Sequence, residues 1–119
     1  MSIKNAIIKN AWIEIEGHGI LTAYMELDYG DCEQCFGGYA LYLPPSFKFH
    51  KQDGPLGHFV YRVLTIAGVG QWREVPGKTI RVSAVGDSWN SKIAGIGHIV
   101  NDDWFYPERD LVFEEAKHG

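Results

Sequence analysis

The sequence predicts an α+β domain: a small antiparallel or mixed β-sheet, in the order β-β-β-α-β-β, with one main helix packed on it. Three observations carry that prediction. Leu21, Ala23, Met25, Leu27 and Tyr29 alternate with Thr22, Tyr24, Glu26 and Asp28, the period of two that marks a half-buried strand. After Pro55, the residues Phe59, Val60, Val63, Leu64 and Ala67 recur at helical spacing. Turn residues punctuate the chain at short intervals, at Gly17-His18-Gly19, Gly30-Asp31, Pro44-Pro45 and Pro76-Gly77.

The first strand is expected over Ile3–Ile15, broken near Asn10, with Ile13 and Ile15 on one side and Glu14 and Glu16 on the other. Gly17-His18-Gly19 reads as a hairpin turn, since glycine supplies the positive φ that tight hairpins need. The alternating segment then forms the second strand, and Phe36–Leu43 returns as the third, ended by Pro44-Pro45. A polar loop over 46–54, interrupted by Phe47 and Phe49, leads to Pro55 in the first turn of the helix. Gly68 is placed as its C-terminal cap, and His58, Arg62 and Thr65 form its solvated face. The fourth strand spans Thr79–Val85 with Ile80, Val82 and Ala84 inward, and Ile93–Val100 is the fifth. Asp87-Ser88-Trp89-Asn90 is a polar turn between them, and the aromatic run Trp104-Phe105-Tyr106-Pro107 follows the sheet.

A chain of 119 residues with 45% apolar and 22% charged content is sized for one globular domain over 1–119, with only residues 116–119 frayed. No apolar run approaches the roughly 18–20 residues that span a bilayer, which predicts no membrane partner. The N-terminal MSIKNAIIKN lacks the uninterrupted apolar stretch of a secretory signal. Two cysteines make no disulfide framework, so a reducing cytoplasm is the expected compartment.

The net charge of −4 is unevenly spread. Acidic residues dominate up to residue 50 and again beyond 101, whereas Lys51, Arg62, Arg73, Lys78, Arg81 and Lys92 make the middle basic. A duplex-DNA binder shows a dense basic stripe, and this chain has none. A local patch for a small anion fits better, because those cations share their segment with Trp72 and Trp89.

Cys32-Glu33-Gln34-Cys35 is a single C-x-x-C at the start of a strand. A closed zinc site needs two further ligands, and the scattered His18, His50, His58, His98 and His118 form no pair at finger spacing. A redox dithiol would sit at a helix start, so no metal and no cofactor are assigned. Gly95-Ile96-Gly97 lacks the third glycine and the βαβ unit of a dinucleotide fingerprint. Its glycines are read instead as places where a ring or another backbone packs closely. Asp28, Asp31 and Glu33, like Asp102-Asp103, are read as turn carboxylates rather than an acid–base pair, and His18 as a turn residue. With no nucleophile or metal constellation, the chain is expected not to be an enzyme.

Aromatics in and beside turns give the stronger functional signal. Trp89, Asn90, Trp104 and Phe105 are the expected stacking and edge-reading groups for a planar ligand. Arg73, Lys92 and Arg109 are placed on phosphate, and Tyr39 with the bare backbone of Gly37-Gly38 forms a wall.

The strings GHGILTA, LDYG, Q-C-FGGYAL, AGVGQW-x-x-VPGK-x-IRV, IGHI and D-x-WFYPE-x-DL, in this order, resemble a family of small phage and prophage proteins to which no reaction is attached. The resemblance runs over most of residues 15–111. The chain departs from the family at Cys32 and Cys35, where small residues such as Gly or Ser are the pattern, and in the composition of the loop 44–56. It implies a phage setting and action in the host cytoplasm, where small accessory proteins often work by binding.

The resulting expectation is a non-enzymatic phage accessory protein that sequesters a small anionic ligand, a nucleotide immune signal, to counter host defence. The alternatives are a protein–protein inhibitor of a host defence factor, anti-CRISPR-like, presenting Glu14, Glu16, Glu26 and Asp28, or a single-strand nucleic-acid-binding module. Unpaired strand edges admit a second copy, so a homodimer or higher oligomer is also expected.

Overall fold

Ala23, Met25 and Leu27 are fully buried, whereas Tyr24, Glu26 and Asp28 between them stay half-exposed, as the period of two requires. In the computed structural model, residues 2–15, 17, 21–30, 32–39, 41, 55–86 and 91–111 are described. They form β1 (Ser2–Ile15), β2 (Leu21–Asp28), β3 (Glu33–Gly37), α1 (Pro55–Ala67), β4 (Thr79–Ala84), β5 (Ile93–Gly97) and β6 (Trp104–Phe105). A 3-10 turn at Trp72–Glu74 and a short helix α2 (Pro107–Asp110) complete the order. The six-stranded sheet runs β3-β2-β1-β4-β5-β6, and every pairing is antiparallel, so the mixed alternative drops out.

The long β1 serves two halves of the sheet. Residues from Ser2 to Ile7 pair with β4, and residues from Ile7 to Ile15 pair with β2. A register shift between Ile8 and Asn10 sits near the changeover, at the break expected near Asn10, and a bulge there bends the strand. The sheet therefore curls, and its ends approach: the Gln34 side-chain amide on β3 donates to the Ser91 carbonyl just before β5, at 2.8 Å.

One face of the curled sheet carries α1. Phe59, Val63 and Ile66 are buried there against Met25, Leu27, Phe36, Ile80, Val82, Ile96 and Phe105. The ring of Phe59 lies 5.7 Å from that of Phe105, edge-on, and 6.1 Å from that of Phe36. The helix stops at Gly68, whose φ of 75° suits glycine; Gly68 N–H and Val69 N–H both donate to the Leu64 carbonyl. The opposite face of the sheet is not covered by α1.

Several expectations are corrected. The third strand lies earlier than Phe36–Leu43, because Gly37 and Gly38 take positive φ and end the regular ladder. Gly38 and Leu41 nevertheless donate to Ala23 and Leu21, so the chain keeps following β2. The fifth strand ends at Gly97 rather than Val100, where a turn begins. Trp104 and Phe105, expected to follow the sheet, form its edge strand against Gly97 and Ile96. Arg62 is not solvated: it binds both Asp103 carboxylate oxygens, the Trp104 carbonyl and the Thr65 hydroxyl. The turn residues His18 and Gly19, Glu16, Asp31, the Pro44-Pro45 stop, the loop 46–54 and the Asp87–Asn90 turn lie outside the described residues.

Candidate ligand-binding cleft

Where the curled ends of the sheet approach, they leave a cleft of about 400 Å³ lined by Gln34, Cys35, Phe36, Gly37, Tyr39, Lys92 and Ile93. Tyr39 is held there because the Thr22 hydroxyl donates to its carbonyl at 2.8 Å and its ring packs edge-on against Phe36. Burial pushes the Tyr39 phenol above the ordinary tyrosine range, with Glu108 adding to the effect, so the ring enters the cleft neutral. Gly37 cannot be anything larger: a Cβ would stand 2.5 Å from the Ala23 carbonyl oxygen and 2.7 Å from the Tyr24 Cα. The cleft thus presents the bare backbone of Gly37 beside the Tyr39 ring.

Lys92 supplies the cation. Its Nζ lies 2.8 Å from Glu108 Oε2, and that hydrogen bond raises its pKa further, so it is charged at any physiological pH. Both side chains are well exposed, a setting in which an ion pair is weak and exchangeable. An incoming anion can take Lys92 from Glu108.

Beyond Glu108 the surface continues as a second hollow lined by Ala94, Tyr106, Glu108 and Arg109. Here the outward side chains of β6 and its extension make a ladder. The Arg81 guanidinium lies 4.9 Å from the Trp104 ring centre, Trp104 stacks on Tyr106 at 6.1 Å, and Arg109 lies 4.8 Å from Tyr106. The ladder rests on β5, where Gly95 and Gly97 leave room for the rings. A Cβ at Gly97 would stand 2.6 Å from Trp104 Cδ2, and one at Gly95 would stand 2.5 Å from Tyr106 Cδ1. The two glycines therefore accommodate rings, as read from the sequence.

The site expected from the sequence is only partly assembled. Tyr39 and Lys92 meet in the cleft, and Trp104 and Arg109 share the adjoining ladder. Phe105 is a correction: it is fully buried between Phe59, His58 and Arg62, and offers no face to a ligand. Arg109 holds Asp110 through two hydrogen bonds of 2.6 and 3.0 Å, which keep Asp110 ionised below the usual carboxylate range. Its charge is thereby matched rather than left for phosphate. Arg73 sits in the 3-10 turn on Gln71 Oε1, and among the described residues it makes no contact with the cleft or the ladder. Trp89 and Asn90 lie outside the described residues.

Glu108 and Gln34 were missed, and Arg81, counted among the cations of the basic middle, and Tyr106, in the aromatic run, were not assigned to the site. Arg81 donates to the His98 and Asn101 carbonyls and faces no carboxylate among the described residues. Its signal was available: with Ile80, Val82 and Ala84 inward, strand alternation turns Arg81 outward.

Cys32 and Cys35 do not read as a redox pair. Both are thiols, Cys35 within β3 and Cys32 in the turn before it, and neither stands at a helix start. Of the carboxylates read as turn residues, Asp28 accepts from Gly30 N–H in its own turn, whereas Glu33 pairs with Lys9 and Asp103 with Arg62, 24 and 41 residues away. Among the described residues no cluster of three or more His, Cys, Asp or Glu is arranged to hold a metal, and no helix is long and apolar enough to cross a membrane. No family profile, curated protein or solved structure matches this chain.

Proposed function

We propose that this chain is a non-enzymatic binding protein that takes a small anion carrying a planar ring, a nucleotide, into the cleft between β3 and the start of β5. The observation that carries this reading is the convergence of Tyr39, the Gly37 backbone and Lys92 on one volume of about 400 Å³, within the range of small-ligand sites. In this reading the ring of the ligand lies against Tyr39 and Gly37, and its phosphate exchanges with Glu108 for Lys92. In the phage setting implied by the sequence resemblance, the consequence of binding is sequestration of a nucleotide immune signal in the host cytoplasm. Isothermal titration against cyclic and ADP-ribose-derived nucleotides tests it. Saturable heat with at least one of them, weakened about tenfold or more by Lys92→Ala, and recovery of the nucleotide unchanged are expected. No heat with any member of the panel removes the proposal.

A second reading rests on a different surface. Glu14, Glu26 and Asp28 share the outward face of β1 and β2 with the exposed Trp12, whose ring packs on Tyr24 at 4.9 Å. Such an acidic face with an aromatic anchor suits a protein inhibitor of a host defence factor. Capture of one host protein by the native chain, lost with Trp12→Ala, favours it; capture that is unaffected by Trp12→Ala and Glu26→Lys refutes it.

A further inference from the structure

Among the described residues Lys92 is the one cation that lines the cleft, and Glu108 holds it at 2.8 Å. Glu108 also lines the neighbouring hollow, of about 470 Å³, with Ala94, Tyr106 and Arg109. The ion pair therefore stands on the boundary between the two volumes. Besides burial, the charges that act on the Tyr39 phenol are those of Glu108 and Lys92, which sets the pair beside the ring of the cleft. The main chain joins the hollows as well. Ile93 lines one and Ala94 the other, and the ladder to β4 skips Ala94, since Ala84 faces Ile93 and Ser83 faces Gly95. An irregularity of this kind re-aims a side chain beside a site.

Charge separates what each hollow can take. When a phosphate takes Lys92, Glu108 loses its partner beside the new negative charge, and a bare carboxylate there opposes binding. Donors on the ligand offset that cost, because an ionised carboxylate only accepts hydrogen bonds. The second hollow has no cation to spare among the described residues, since Arg109 is held by Asp110. It does have a flat wall, where the Arg109 guanidinium lies 4.8 Å from the Tyr106 ring centre. A second phosphate is unsuited to it, and an uncharged planar group carrying hydroxyls fits.

We propose that cleft and hollow form one bipartite site, whose ligand carries two nucleosides joined through a phosphate. The first base lies against Tyr39 and Gly37 and the phosphate on Lys92. The second base lies along Tyr106 and Arg109, and its ribose hydroxyls donate to Glu108. Glu108 is thereby a specificity-determining residue: it opposes a lone nucleotide and is satisfied by a linked pair. The inference rests on the nucleotide reading of the cleft and adds the second half of the ligand.

Isothermal titration of the full chain with the linear dinucleoside monophosphates of adenosine and of guanosine tests it. The comparison probes are the methyl esters of the corresponding mononucleotides, which carry the same phosphodiester charge. At least one dinucleotide should bind about tenfold or more tighter than its methyl ester, the gain expected from stacking a further base. Tyr106→Ala, checked for an unchanged circular dichroism spectrum, should remove that gain and leave the methyl ester as it was, whereas Tyr106→Phe should keep it. Glu108→Gln, an exposed change that spares the core, should tighten the methyl ester, because Lys92 is no longer held, and narrow the gap. Equal affinity for dinucleotide and methyl ester, both dependent on Lys92, overturns the bipartite site and leaves the nucleotide reading standing. A gain that survives both Tyr106→Ala and Glu108→Gln overturns it as well. Binding by none of the four probes overturns it too, and the panel of cyclic and ADP-ribose-derived nucleotides then decides the reading beneath it.

Discussion

Substitution of Gly97 by alanine puts the packing of the open sheet face to a quantitative test. The added methyl would stand 2.6 Å from Trp104 Cδ2 and Cε3 and 2.8 Å from Cε2, where ordinary contact begins near 3.4 Å. The indole must therefore lift by roughly 1 Å, and it does so while wedged against Tyr106 and Arg81. Overpacking of this kind costs about 1–3 kcal/mol. Alanine recovers about 0.5–1 kcal/mol of the backbone entropy that glycine loses in a strand. The net expectation is a loss of about 1–2 kcal/mol, read as a lower urea midpoint with an unchanged slope. The control sharpens the test: with Trp104→Ala the obstacle is gone, and Gly97→Ala should then stabilise by about 0.5–1 kcal/mol. A neutral or stabilising Gly97→Ala in the otherwise native chain would refute the claim that the ring rests on bare backbone.

Three further outcomes follow from the same packing. Arg62→Ala should cost about 1–3 kcal/mol in urea unfolding, and Arg62→Lys should not restore it, because an ammonium cannot serve Asp103, the Trp104 carbonyl and Thr65 from one plane. His98 Nδ1 accepts from the backbone N–H groups of Val100 and Asn101, at 3.1 and 2.9 Å; hydrogen exchange at those amides should rise at least tenfold in His98→Ala and much less in His98→Asn, whose Oδ1 can accept in the same way. Burial pushes the Tyr29 phenol up to about 12, above its ordinary value near 10. The folded chain then holds a proton that the unfolded chain releases, so the contribution is complete below pH 10 and is lost as pH rises toward 12. Stability should fall across that window, and Tyr29→Phe should flatten the fall. A phenolate absorbance titration without a component near pH 12 would contradict the assignment.

What could be read from residues alone depended on how local the controlling force was. The helix from Pro55 to Gly68 was legible because its proline start, its apolar spacing and its glycine stop all act within a turn or two of chain. The β2 alternation and the inward Ile80, Val82 and Ala84 were legible for the same reason, since strand period is a property of each segment by itself. Phe105 was misread because position in an aromatic run says nothing about which face of an edge strand it occupies. Its burial follows from pairing with Ile96, nine residues earlier and itself in the core. Arg62 was misread because its partner Asp103 is 41 residues away.

The cleft itself is the clearest case. Composition and spacing nominated Tyr39, Gly37-Gly38 and Lys92 one by one, as a ring, a bare backbone and a charge. The meeting of Tyr39, Gly37 and Lys92 depends on the curl of the sheet, on a β1 that changes partners at Ile7 and on Gln34 reaching Ser91 across 57 residues. By itself, then, the chain determined its strands, its helix and the chemistry of single side chains, because these follow from short-range sterics and from the cost of leaving apolar faces in water. Only the tertiary structure decided which of them share a surface, because pairing register and sheet closure are set by all the strands packing at once.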